Sequence, residues 1–359
     1  MRLFTCGSCD GVLYFENALC LKCGAAVGFD AASGGMVALT PADEAGGYTS
    51  APASEDAGGK WRYCANAAHA ACNWILAADD PHDFCFNCRH NDVVPDLENP
   101  DQVVLWRRVE IAKHRLFYSL LRLKLPTGAD DDGAVPALRF DVLADDPDPA
   151  APKIMTGHSA GRIILALVEA DDAEREQRRL TLHEPYRTLL GHLRHEVGHY
   201  YWDVLVKDSA ALAPFRALFG DETADYDAAL ARHYANGAAP DWAEHHVSVY
   251  AGSHPWEDFA ETFAHYLHIT DTLEMAVNFG VRLQPRIDSP DRAALAAAAV
   301  RDPVETRNFD AILRQWLPIT YMANNLNRCM GISDAYPFVL APPVCEKLQF
   351  IHELVSPYA

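Results

Sequence analysis

Apolar residues recur every three or four positions through three long stretches of the chain, and each stretch reads as an amphipathic helix. The first spans residues 101–125, with Val104, Trp106, Val109, Leu116, Leu120 and Leu123 on one face. The second carries Leu189, Leu193, Val197, Tyr200 and Val204. The third starts at Pro255, capped by Ser253 or His254, and packs through Phe259, Ala260, Phe263 and Leu267. Beside that face runs a polar stripe of Glu257, Glu261, His265 and His268, the signature of a lined cleft. Shorter apolar runs predict strands at Leu138–Leu143 and on either side of Gly157–Gly161, the second being Arg162–Val168. Residues 31–59 hold six Gly and eight Ala and read as a linker, with a weak strand at Met36–Leu39.

Cysteine and histidine are segregated along this pattern. Eight of ten cysteines precede residue 89, and ten of sixteen histidines lie between His183 and His268. Close thiol pairs without an export signal point to zinc rather than disulfides. Cys6-x2-Cys9 and Cys20-x2-Cys23 form two turns that aim four thiolates at one point, a closed structural site. Gly24 lets the second turn close. Cys64, Cys72, Cys85 and Cys88 make a second, looser tetrad, in which His69, His82 or His90 could replace a thiolate. Cys329 and Cys345 read as small buried hydrophobes.

The second helix contains His195-Glu196-Val197-Gly198-His199. Histidines at i and i+4 reach one metal ion, and Glu196 beside them can take a proton from the bound water. Gly198 leaves room for close packing beneath the pair. A third protein ligand is needed. The short metzincin extension fails, since Trp202 and Leu205 stand where its Gly and His belong. The downstream helix offers Glu257, Asp258, Glu261 and His265 instead.

This motif with a distant Glu-x-x-x-Glu helix resembles the gluzincin metallopeptidases. The resemblance implies Glu257 as the third ligand and Glu261 as the residue orienting His195 or His199. It also implies that Tyr250, seven residues before Glu257, polarises the substrate carbonyl; His254 is equally able to donate there. More closely, the chain resembles the bacterial family named "putative zinc-binding metallopeptidase", which carries an N-terminal zinc ribbon. The matching stretches are Glu184–His192 running into Tyr200-Tyr201-Trp202, then Tyr250-Ala251 through His254–Asp258, then Asn327-Arg328 to Tyr336-Pro337-Phe338.

The expected fold is therefore α+β: a zincin-like metallopeptidase domain preceded by small zinc-ribbon modules. Its expected parts are a ribbon at 1–30, a flexible linker at 31–59, a second four-cysteine module at 60–95, a helical connector at 96–139 and the peptidase domain at 140–359. One catalytic and two structural zinc ions are expected, with a peptide or protein as substrate laid along the strand Arg162–Val168. A protein partner could use the zinc modules.

Charge narrows the alternatives. Fifty acids against thirty bases leave −20, which repels nucleic acid. The basic residues Arg107, Arg108, Lys113, Arg115, Arg122 and Lys124 on the first helix are expected to pack on the protein's own acidic body or to be solvated. No leader or membrane span is evident, so a cytoplasmic protein is the expectation.

Overall fold

The two cysteine-rich stretches fold into one unit with the first long helix, and the histidine-rich stretch forms another. The computed structural model describes residues 2–42, 47–51, 59–128, 135–148, 150–181 and 188–359. The chain divides near residues 174 and 175, with His158–Ala160 grouping with the second unit.

In the first unit, β1 (Phe4–Thr5) and β2 (Val12–Leu13) form a small antiparallel ribbon that flanks the first cysteine turn. Five strands then close a barrel: β3 (Ala26–Asp30), β4 (Gly35–Pro41), β5 (Tyr48–Ser50), β6 (Lys60–Tyr63) and β7 (Trp74–Ala77). β3 pairs antiparallel with β4, Ala26 opposite Leu39, and parallel with β7, Phe29 opposite Trp74. Within residues 31–59 the strand expected at Met36–Leu39 is present and a second strand joins it, while residues 43–46 and 52–58 lie outside the described residues. These strands are β4 and β5; Val37, Ala38 and Leu39 are all buried, with Val37 and Leu39 packed in one cluster with Ile75. Burial of these apolar side chains in the barrel outweighs the small-residue composition of the segment.

β8 (Asn91–Val93) is followed by α1 (Pro100–Arg122), whose entry is capped by the Asn99 side chain on Asp101 N and Gln102 N. α1 is more than a connector. Its Tyr118 ring lies 5.3 Å from Phe15 and 6.1 Å from Phe29, and Phe29 lies 4.7 Å from Trp74. Ribbon, barrel and helix share this aromatic core. Val103 replaces Val104 on the buried face, and Val104 is exposed. The basic residues of α1 are largely engaged inside the unit: Arg107 donates to His69 O, Arg108 to Ala170 O, and Arg115 pairs with Glu16.

β9 (Arg139–Leu143), β10 (Gly157–Ser159) and β11 (Arg162–Ala166) follow. The sheet order is β10-β11-β9-β8, with β11 parallel to β9 and β9 parallel to β8. Strand Arg162–Val168 is therefore interior, contrary to its expected place at an edge, and it ends at Ala166 in a 3-10 turn. β10 takes the edge beside it.

Helices build the second unit: α2 (Asp172–Thr181), α3 (Leu189–Leu205), α4 (Leu212–Phe219), α5 (Tyr226–Asn236), α6 (Trp242–His245), α7 (Pro255–Asn278), α8 (Phe309–Cys329) and α9 (Pro342–Val355). α2 bridges the division and belongs mainly to this unit. α3 and α7 pack closely through Leu193, Val197, Phe259 and Phe263, all fully buried. Each such side chain contributes roughly 1.5–3 kcal/mol. A Cβ at Gly198 would stand 2.7 Å from Ala260 Cα, so glycine alone permits this approach. Cys329 is exposed and Cys345 only half-buried, so neither is the core hydrophobe expected.

Candidate metal centres

Each cysteine tetrad converges on a point. In the first, Cys6 Sγ lies 3.8 Å from Cys23 Sγ, and Cys9 Sγ lies 3.7 Å from Cys20 Sγ. A tetrahedron with zinc–sulfur bonds of about 2.3 Å has edges of about 3.8 Å, so the spacing suits zinc and is far too long for disulfides. Both turns end in a left-handed residue, Asp10 at φ +55° and Gly24 at φ +76°. Aspartate tolerates that conformation where glycine was the only residue singled out from sequence.

The second tetrad is likewise assembled, with Cys72 Sγ 3.7 Å from Cys85 Sγ and all four atoms mutually close. None of His69, His82 or His90 joins it. The histidine beside it is His114 of α1, whose Nε2 lies 3.2 Å from Cys72 Sγ. Backbone N–H groups of Trp74 and Cys85 donate to Cys72 and Cys64 sulfurs, which offsets thiolate charge. Glu110, fully buried, accepts from Asn87, Asn91 and Lys113 next to Cys88.

The third centre lies where α3 crosses α7. His195 Nε2 is 3.0 Å from Glu257 Oε2, His199 Nε2 is 3.4 Å from the same oxygen, and the two Nε2 atoms are 3.2 Å apart. This near-equilateral triangle matches the face of a tetrahedron built on metal–ligand bonds of 2.0–2.1 Å, whose edge is about 3.3 Å. Glu257 Oε2 is buried and has no well-directed hydrogen-bond donor among the described residues. A buried carboxylate oxygen facing two imidazole nitrogens without a donor is the environment a divalent cation satisfies. The donor set, two imidazoles and a carboxylate, is one that zinc accepts.

Neighbours hold the three candidate ligands. His195 Nδ1–H donates to Glu261 Oε1 at 2.7 Å, and Ser248 Oγ donates to Glu261 Oε2 at 2.6 Å. His199 is held by packing, its ring 3.8 Å from that of Trp256. His158 of β10 stacks behind it at 6.2 Å. Tyr226 at the start of α5 donates to Glu257 Oε1 at 2.5 Å.

Burial and charge compete at these groups. Burial favours neutral His195, but the Glu257 and Glu261 carboxylates prevail and raise its pKa well above the usual value. Burial pushes Glu261 up, yet the His195 hydrogen bond and charge hold it at about 2. Glu257 is likewise kept ionised against its burial, chiefly by His199 and His195. Glu196 behaves oppositely: burial raises its pKa, outweighing both histidines. A carboxyl poised above its ordinary range suits a group that must take and return a proton.

The stripe on α7 is buried at Glu257 and His265 and half-buried at Glu261 and His268, and it divides by contact. Glu257 and Glu261 face the histidine pair. His265 Nδ1 instead meets the Tyr336 hydroxyl at 2.6 Å, and His268 Nδ1 accepts from Arg194 at 2.6 Å. Asp258 turns away to Lys347 Nζ at 2.6 Å and His246 Nδ1 at 3.0 Å. Tyr250 lies close by, with its ring 5.8 Å from His195. His254 takes the cap position expected for it rather than the alternative role of donating to a substrate carbonyl. Its Nδ1 caps α7 by accepting from Trp256 N, and its Nε2 donates to Ala224 O, so both nitrogens are engaged away from a substrate. Tyr226 and His158 went unnoticed in the sequence because neither stands in a motif or at a diagnostic spacing from the ligands.

A fold with two cysteine tetrads and a His-His-Glu centre on crossed helices defines a zinc-ribbon protein with a metallopeptidase-like body. Residues 102–354 match the family described as "Putative zinc-binding metallo-peptidase", and residues 3–99 match a zinc-ribbon domain. The first match covers well over half of the chain, and the protein belongs to that family. Relatives from Mycobacterium bovis and from two strains of Mycobacterium tuberculosis, each named only as an uncharacterized protein, are 42% identical over 360 residues. The alignment spans 100% of this chain and 96% of each relative. No solved structure matches. Among the described residues, no helix is long and apolar enough to cross a membrane.

Proposed function

We propose that the protein is a zinc-dependent peptidase that hydrolyses peptide bonds at the α3–α7 crossing. The carrying observation is the triangle of His195, His199 and Glu257 with Glu196 buried beside it. His195, His199 and Glu257 would hold the zinc ion, which would supply Lewis-acid chemistry able to make water nucleophilic near neutral pH. Glu196 accepts the proton released by the attacking water and returns it to the leaving amine. Glu261, anchored by Ser248, keeps His195 in the tautomer whose Nε2 is free to ligate. The Tyr250 hydroxyl stabilises the oxyanion, since His254 is committed to its cap. The edge strand β10, with His158 on it, is where an extended peptide would align.

The two tetrads hold structural zinc and leave no position for substrate. The intact Glu196 favours an active enzyme over a binding protein, because metal binding alone does not require it. The test is a diverse peptide library incubated with zinc-loaded protein and with Glu196→Gln, followed by mapping of new termini. Cleavage by the parent, with the variant reduced by roughly 10²–10⁴-fold at unchanged metal content, is expected. Equal cleavage by both would overturn the general-base role, and silence from both would overturn the peptidase reading.

A further inference from the structure

Glu257 is fixed by two different neighbours, one at each carboxylate oxygen. Oε2 lies 3.0 and 3.4 Å from the two histidine Nε2 atoms, whereas Oε1 accepts the Tyr226 hydroxyl at 2.5 Å. The carboxylate is almost wholly buried, with 1% side-chain exposure, so no bulk water competes for either oxygen. Tyr226 is itself well anchored. It opens α5, where Asp225 caps the helix through Ala228 N, and its ring packs against Trp256 and His254 with centroids 5.9 and 5.2 Å away.

We infer that Tyr226 is a positioning residue that restricts Glu257 to a single ligand oxygen and so reserves a coordination position for water and substrate. This rests on the reading of His195, His199 and Glu257 as a metal centre. A carboxylate with both oxygens free can bind a cation through one or both of them. A site that must admit water needs three protein ligands and one open corner. With Oε1 occupied by a short hydrogen bond from a half-buried phenol, the second oxygen cannot swing onto the ion without breaking that bond and leaving the hydroxyl without its acceptor. The position of Tyr226, more than thirty residues before Glu257 and on a separate helix, explains why no local motif encodes it.

The decisive experiment loads full-length parent and Tyr226→Phe with cobalt(II) and records visible spectra. The equally loaded His195→Ala/His199→Ala double variant is subtracted from each, which cancels the cysteine tetrads. Cobalt absorption reports coordination number, so Tyr226→Phe should lose intensity as the carboxylate takes a second corner. Its zinc form should show kcat lowered about 10- to 100-fold with KM little changed. A difference spectrum identical to the parent's would overturn the role of Tyr226 whatever happens to turnover. A parent without any difference band would mean that the histidine pair holds no ion, and both this inference and the metal-centre reading would fall.

Discussion

His195 and His199 share a helix turn but are oriented by unlike means, and the difference makes them unequal under mutation. His195 depends on a charge-assisted hydrogen bond to Glu261, which in turn depends on Ser248. His199 depends on ring packing against Trp256, and its Nδ1 is buried with no hydrogen-bond partner among the described residues. Glu261→Ala is therefore expected to weaken metal binding at this centre about 10- to 100-fold while leaving the cysteine sites filled. Competition with a chromogenic chelator, read against total metal by mass spectrometry, checks this. An unchanged affinity would show that packing alone orients His195.

At the scale of elements, the centre exists because two helices cross without an intervening side chain. Gly198 faces Ala260, and an added Cβ would meet Ala260 Cα at 2.7 Å and its carbonyl oxygen at 2.9 Å. Backbone cannot yield as a flexible side chain would. Gly198→Ala should force α3 and α7 apart, destabilising the protein by about 1–3 kcal/mol. It should also widen the spacing between the histidines and Glu257, so metal loss should accompany the lower Tm. Calorimetry and metal analysis of one preparation test both, and retention of full metal content would show that the helices can slide rather than separate.

At the scale of the molecule, each unit buries a neutral histidine that is not among the candidate metal ligands. Burial lowers the His90 pKa to about 3 and the His265 pKa to about 4. Both lie below the ordinary unfolded value of about 6.5, so below that pH the unfolded chain takes up protons that the folded one refuses. Their contribution is intact above pH 6.5 and is lost progressively as pH falls toward 3–4. Tm should therefore drop steadily on acidification from pH 6.5, and His90→Gln and His265→Gln should flatten that slope. Thermal melts across this range decide the matter; an unaltered slope in both variants would assign the acid sensitivity to other groups.

Local chemistry was legible along the chain wherever neighbours in sequence are also neighbours in space. The Cys-x2-Cys turns, the i and i+4 histidines and the Pro255 helix start lie within a few residues of their partners, and backbone geometry alone brings them together. The N-terminal zinc ribbon followed from those signals, and the α+β class from them together with the family resemblance. Tertiary structure decided what depends on distant contacts. It put β4 and β5 into a barrel where composition suggested a linker, because burial of Val37 and Leu39 overrides a high content of small residues. It moved Arg162–Ala166 from the edge of the sheet to its interior, since strand order is not written in any one strand. It also brought Tyr226 to Glu257. The sequence by itself determined which residues can ligate; only the packing of α3, α5 and α7 decided where each donor and each oxygen points.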